Sequence, residues 1–163
     1  MNRLLLVLAI VLIGITAFTY HSEKGVVVEE KMVVIKGVED WKNTMIKVTP
    51  KDKILIRATG KVCFSGGHNL SCVDADGMNR LMFNMNWEYD KIWCDDPMIK
   101  ENHAALIGNL GNDDFFIGKK NAFGNLNGML YIGINDCTLD PGDSELYNTG
   151  QYEVFIKVIR PRK

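Results

Sequence analysis

Trp87, Tyr89 and Trp93 are interleaved with Asp90, Asp95 and Asp96 in one stretch of the chain. Aromatic rings stack on the C–H faces of sugars while carboxylates accept hydrogen bonds from hydroxyls, so a loop of this composition suits a glycan. Trp87 and Trp93 are therefore candidate ligand-binding residues. The plainer reading, which the composition favours, is that these rings cover one end of a hydrophobic core and are pinned there by Cys94. Asp74-Ala75-Asp76-Gly77 has the spaced acids of a calcium loop, but an EF-hand needs a closing Glu where Phe83 stands. A simple turn explains it better, with Asp74 and Asp76 kept as candidate ligand-binding acids. His68 and His103 read as exposed loop histidines. With no G-x-S-x-G pattern around Ser65 and no paired acid and base, the sequence argues against a hydrolase. Asn69-Leu70-Ser71 matches a glycosylation sequon, which matters only in a host that glycosylates it.

The four cysteines, Cys63, Cys72, Cys94 and Cys137, form an even set, as expected of an oxidising compartment. Three pairings are open to four cysteines. Cys63 with Cys72 is preferred because the two bracket a short Gly-rich loop, which leaves Cys94 with Cys137. No pair has the C-x-x-C spacing typical of zinc. Compartment is also signalled at the N-terminus, where Arg3 precedes the apolar run Leu4 to Phe18 and then His21-Ser22-Glu23-Lys24. That order is the one used for export. The run, about 15 residues long, is shorter than the ~20 that span a bilayer, which favours a cleaved signal over an anchor. The small-residue pattern near Ala17 is poor for cleavage, so an uncleaved anchor stays open as the one route to a membrane. The chain is expected to be periplasmic, secreted or held at the cell envelope. Residues 1–20 are assigned to this signal, 21–40 to an N-terminal strand and linker, and 41–160 to the folded domain.

The elements that must position these residues are extended. The 163 residues leave room for one domain, the hydrophobic share is 47% and the formal net charge is −1. Neither disorder nor a nucleic-acid partner is signalled by that balance. Val26 to Ile35 is rich in β-branched residues with charges in its middle, which suits an edge or half-exposed strand. Thr44 to Val48 is a second extended piece, and Pro50-Lys51-Asp52 turns the chain into Lys53 to Thr59, where Ile54, Ile56 and Ala58 share one face. Gly60 is expected to punctuate before a further strand, Lys61 to Phe64, and a loop, Ser65 to Asn69. Patterning fades between Cys72 and Glu101 into a long insertion. Strands return at Ala104 to Leu110, Phe115 to Gly118, Gly128 to Asn135 and Gln151 to Ile159, the last with Tyr152, Val154, Ile156 and Val158 on one face. Seven or eight short strands with Gly, Asn and Asp turns and no long helical period predict an all-β fold, a two-sheet β-sandwich.

Three segments in order carry a resemblance. They are Trp41-Lys42-Asn43-Thr44 with Val48, Lys51-Asp52, Ile54 and Ala58-Thr59-Gly60; Ala104 to Gly111 followed by Phe116-Ile117-Gly118; and Gly128 to Asp136 followed by Asn148-Thr149-Gly150-Gln151-Tyr152. Over Trp41 to about Val158 the chain resembles the galactophilic lectins of the PA-IL type and their β-sandwich relatives, which implies a sandwich of the jelly-roll or galactose-binding-domain-like kind. The resemblance implies a calcium ion between two loops, its shell completed by sugar hydroxyls. It implies Asp136 as a carboxylate ligand, Asn148 as an amide ligand and Phe64 as a backbone-carbonyl ligand, with Asn135 beside them as a ligand-binding candidate. Ca²⁺ takes six to eight hard oxygens, which carboxylates, amides and carbonyls supply. Departures are clear: the family's sugar-contacting His and Gln fall near Val73 and Asp76, and Tyr147 stands where the family has a second Asn or Asp. The loop from Asp136 to Asn148 is longer than the family's and contains Asp140, Asp143 and Ser144, which can either rebuild the ion's shell or form a solvated loop. Asn135-Asp136 and Asn148-Thr149-Gly150 would equally serve turn geometry alone.

Two functions follow as expectations. One is an exported, non-catalytic module that binds a carbohydrate or glycoconjugate with help from Ca²⁺ and can form a homo-oligomer. The other is an envelope interaction domain that keeps the sandwich without the sugar site. The first rests on analogy of fold more than on site residues.

Overall fold

The computed structural model describes residues 25–37, 39, 41–66, 69–79, 97–98, 100–111, 113–136 and 148–162, with the side chains of 64–66 and 69–71 left aside. All regular structure among them is β. The strands are β1 (Gly25–Lys36), β2 (Lys42–Val48), β3 (Lys53–Gly66), β4 (Asn69–Val73), β5 (Leu106–Leu110), β6 (Asp113–Phe116), β7 (Lys120–Gly124), β8 (Gly128–Ile134) and β9 (Thr149–Pro161). Two antiparallel sheets form a sandwich. The first runs β1-β9-β3-β4, with β7 also paired to β3, and the second runs β2-β8-β5-β6.

The alternation in the sequence explains the layers. In β9, Tyr152, Val154, Ile156 and Val158 are buried while Gln151, Glu153 and Phe155 are exposed. In β3, Ile54, Ile56, Ala58 and Val62 point the same way, and the second sheet answers with Ile46, Val48, Leu106, Leu110, Leu130, Ile132 and Ile134. Fully burying one such side chain contributes about 1.5–3 kcal/mol, so two rows of them outweigh any local preference of the loops. β1 lies at the sheet edge, one of the two places its charged middle suits, and it pairs with β9 along its length with a bulge between Val27 and Glu29. Its outer edge is capped near its end: Val34 O accepts from Lys42 Nζ at 2.8 Å, and Lys36 N donates to Glu39 Oε2 at 2.8 Å. Charged caps of this kind keep an open edge from pairing with another chain.

Several boundaries differ from the sequence reading. Gly60 does not divide two strands; β3 continues through it, because Gly60, at φ 97°, bends the strand where its α-carbon meets the Gln151 carbonyl too closely for any side chain. The bend lets one long strand pair with β7 over Lys53–Arg57 and with β4 over Val62–Gly66. β4 and β7 go beyond the sequence reading, since Asn69–Val73 lies against a Gly-rich loop and Lys120–Gly124 sets its two polar residues, Lys120 and Asn121, side by side with no period of two. The strand expected at Ala104 begins at Leu106, and that expected at Phe115–Gly118 is shifted to Asp113–Phe116. Cys63 and Cys72 face each other across β3 and β4 and are joined by a disulfide, the preferred pairing. Cys94 and Cys137, and residues 1–20, lie outside the described residues.

Candidate functional site

One end of the sandwich collects four chain segments: the exit of β8 at Asn135 and Asp136, the entry to β9 at Asn148, the turn after β4 at Asp74–Gly77, and the approach to β5 at Asn102–Ala105. Asp136 and Asn148, twelve positions apart in sequence, are brought into direct contact, with Asn148 Nδ2 donating to Asp136 Oδ2 at 2.6 Å. His103 Nε2 lies 3.6 Å from the other Asp136 oxygen. The register of β3 with β9 pairs Cys63 with Thr149, which carries Phe64 to the position facing Asn148. Three of the oxygen-bearing residues implied by the resemblance thus converge at one end. Among the described residues no cluster of three or more His, Cys, Asp and Glu side chains could hold a metal ion. Asp140, Asp143, Ser144, Trp87 and Trp93 lie outside the described residues.

The neighbours of Asp136 hold the floor of this end. Asn135 is fully buried, and its side chain is committed: Oδ1 accepts from Met98 N at 2.8 Å, and Nδ2 donates to Met98 O and Asn102 O at 3.1 and 3.0 Å. Its backbone is clamped as well, by Ala104 N to Asn135 O and Asn135 N to Ala105 O, both 2.7 Å. This side chain fastens 98–105 to β8. His103 is not the exposed loop histidine its sequence context suggests; it is 5% exposed, because an isolated bridge with Met78 draws it inward. Ala104 follows with φ 59°, a left-handed backbone that costs an ordinary residue about 1–2 kcal/mol.

Tyr152 sits beneath these segments. Its hydroxyl lies 2.9 Å from both Asp74 O and Ala104 O, so one proton is shared between two carbonyls. Burial, reinforced by the charges of Asp74, Asp136 and Asp76, pushes its pKa up, and the phenol stays a donor. The sequence identified Tyr152 only as a core residue; its phenolic oxygen at the end of an apolar row was the available signal for more.

Asp74 and Asp76 form a turn rather than an open acid pair. Asp76 N donates to Asp74 Oδ1 at 3.1 Å and Gly77 N to Asp74 O at 2.9 Å. Gly77 is required, since at φ 73° a side chain would strike His103 O and Ala105 N. Lys119 closes over the turn, its Nζ 2.8 Å from Asp76 Oδ2 and 3.2 Å from Asp74 Oδ2, while its backbone N donates to Asp76 Oδ1 at 2.7 Å. Burial works to raise the Asp76 pKa, but the hydrogen bonds and charge of Lys119 outweigh it and hold the carboxyl below its usual range. These two acids are neutralised from within the chain by a lysine that no sequence pattern linked to them.

No family model matches the sequence, and no curated protein does. Among solved structures the fold is similar to that of the EclA N-terminal domain, a PllA-like lectin, with a TM-score of 0.50 and 17% identity, over 85% of this chain and 99% of that one. At that identity the likeness establishes the fold.

Proposed function

We propose, with the shared lectin sandwich as the starting point, that this chain is an exported, non-catalytic carbohydrate-binding module whose ligand is met at the Asp136–Asn148 end with the help of a calcium ion. The observation that supports this most is the contact between Asp136 and Asn148, two hard-oxygen side chains just beyond the end of β8 and just ahead of β9, with the Phe64 carbonyl on the neighbouring strand. Carboxylate, amide and carbonyl oxygens are the donor types that Ca²⁺ takes, and an ion of six to eight ligands would draw the rest from Asp140, Asp143, Ser144 and sugar hydroxyls. Asn148 would turn its amide oxygen, in place of the nitrogen it offers Asp136, toward the ion. Within this reading, the calcium supplies charge for oriented hydroxyls. Asn135 and Tyr152 hold the surrounding segments in place. Export is supported by Arg3 and the apolar run after it, together with the Cys63–Cys72 disulfide.

Thermal melting of the purified protein, with Ca²⁺ or chelator and then with a monosaccharide panel, tests the reading. A ligand that binds only the native state raises the melting temperature. Calcium should raise it, a sugar should raise it further, and Asp136→Ala should abolish both shifts. A calcium shift that survives Asp136→Ala would place the ion elsewhere, and no shift with calcium or any sugar would leave the envelope interaction domain as the better description.

A further inference from the structure

The outer face of the second sheet carries a second set of groups with carbohydrate chemistry. The pairings Asn43 with Tyr131, Tyr131 with Asn109 and Asn109 with Asp114 place these four residues in one row across β2, β8, β5 and β6. Their neighbours Thr44, Leu130 and Leu110 are buried, so the row faces away from the core. Beside it, Lys42 pairs with Ile132, which brings Trp41 opposite Gly133. The indole lies directly on that glycine: a β-carbon there would stand 3.0 Å from Cε3 and 3.2 Å from Cδ2 of the ring. Trp41 is thus seated against backbone and still 37% exposed. Along the same row Ile107 is fully buried and Phe116 half-buried, so Trp41 is its most open member.

We propose that this face is a second binding site, for an extended oligosaccharide or polysaccharide chain, separate from the Asp136 end; it shares only the ligand class with the function proposed above. A ring held flat on glycine offers a sugar its C–H-stacking surface without a loss of side-chain freedom on binding. The polar row supplies the hydroxyl partners and is already ordered, with Asn109 Nδ2 donating to Asp114 Oδ1 at 2.6 Å and Asn43 Nδ2 to Tyr131 Oη at 3.4 Å. The Tyr131 hydroxyl proton and the second Asp114 oxygen have no partner among the described residues. The row crosses three strand-to-strand steps of about 4.8 Å, so its length of about 14 Å exceeds one sugar ring and suits a chain. Other occupants fit less well. A nucleic acid needs cations where this row has a carboxylate, and a stable protein interface needs a larger apolar core than one ring provides.

Affinity electrophoresis of the full chain through gels containing soluble galactan, mannan, xylan or β-glucan tests this, alongside Trp41→Ala, Trp41→Phe, Asn109→Ala with Asp114→Ala, and Asp136→Ala. At least one polysaccharide should retard the wild type. Trp41→Ala should weaken that retardation at least tenfold, Trp41→Phe should restore part of it, and the Asn109/Asp114 pair should weaken it several-fold. Asp136→Ala should leave it unchanged while abolishing the calcium shift in melting temperature. Should Trp41→Ala fail to fold, the Asn109/Asp114 pair alone decides. Absence of retardation in every gel, retardation indifferent to the Trp41 and Asn109/Asp114 changes, or retardation lost with Asp136→Ala would each overturn the proposal, the last assigning the polysaccharide to the Asp136 end. Loss of the calcium and monosaccharide shifts alone would sink the other site and leave this one standing.

Discussion

Replacing Tyr152 by Phe removes one oxygen from the point where three segments of the candidate site meet. The ring stays in the core, so no apolar burial is lost, and the change isolates the hydroxyl. Of its two acceptors, Asp74 O also receives Gly77 N at 2.9 Å and keeps a donor. Ala104 O, in a fully buried residue, loses the hydroxyl 2.9 Å away. A buried carbonyl left without a donor costs about 1–3 kcal/mol. Ala104 also carries a left-handed backbone that its neighbours must hold in place. The expected loss is therefore about 2 kcal/mol in urea unfolding, with the slope unchanged because the surface exposed on unfolding is the same. On the proposed function, the calcium and sugar shifts in melting temperature should shrink with it as Ala104 and His103 move beside Asp136, and amide exchange should quicken at residues 102–105. A loss under about 0.5 kcal/mol with exchange at 102–105 unchanged would show that the hydroxyl does not secure this end.

Other outcomes follow from single contacts. Asp52, buried between β2 and β3, is held by Arg160 Nε at 2.6 Å and by Thr49 N at 2.8 Å, and the Arg160 hydrogen bond, against the opposing effect of burial, depresses its carboxyl to about 2. A depressed acid stabilises the fold above its unfolded pKa near 3.8 and loses that contribution as pH falls through about 2. Because half-exposed Arg160 is screened by solvent, the contribution is about 1–2 kcal/mol. Asp52→Asn should narrow its stability gap to the wild type by that amount between pH 5 and pH 2, roughly the window set by the two pKa values; a gap constant across that range in denaturant titrations would contradict it. Asn135→Ala removes three hydrogen bonds from a buried amide and should cost about 2–3 kcal/mol by the same unfolding assay, with a loss below about 1 kcal/mol refuting its role as the clamp on 98–105. Met45, 75% exposed with φ 60°, sits at the bulge of β2. Met45→Gly should raise stability by about 0.5–1 kcal/mol through relief of that backbone, and a lowered melting temperature would count against it.

The sequence by itself determined the layers. A period of two in Lys53–Thr59 and Gln151–Ile159 decides which side chains meet, since burial at every second position is worth more than any loop can oppose. It also pointed to the Cys63–Cys72 disulfide, because the two cysteines bracket a short Gly-rich loop. What the sequence did not decide was the company kept at the end of the sandwich. Lys119 meets Asp74 and Asp76, His103 is drawn beside Asp136, and the Tyr152 hydroxyl reaches Ala104 O, all across 33 or more positions. Such pairs arise where turns from both sheets converge, and no local periodicity encodes that convergence. The Trp41 platform is of the same kind: in the sequence the tryptophan stands among the residues that carry the lectin resemblance, ahead of the extended piece Thr44 to Val48, but only the register of β2 against β8 put a glycine beneath it.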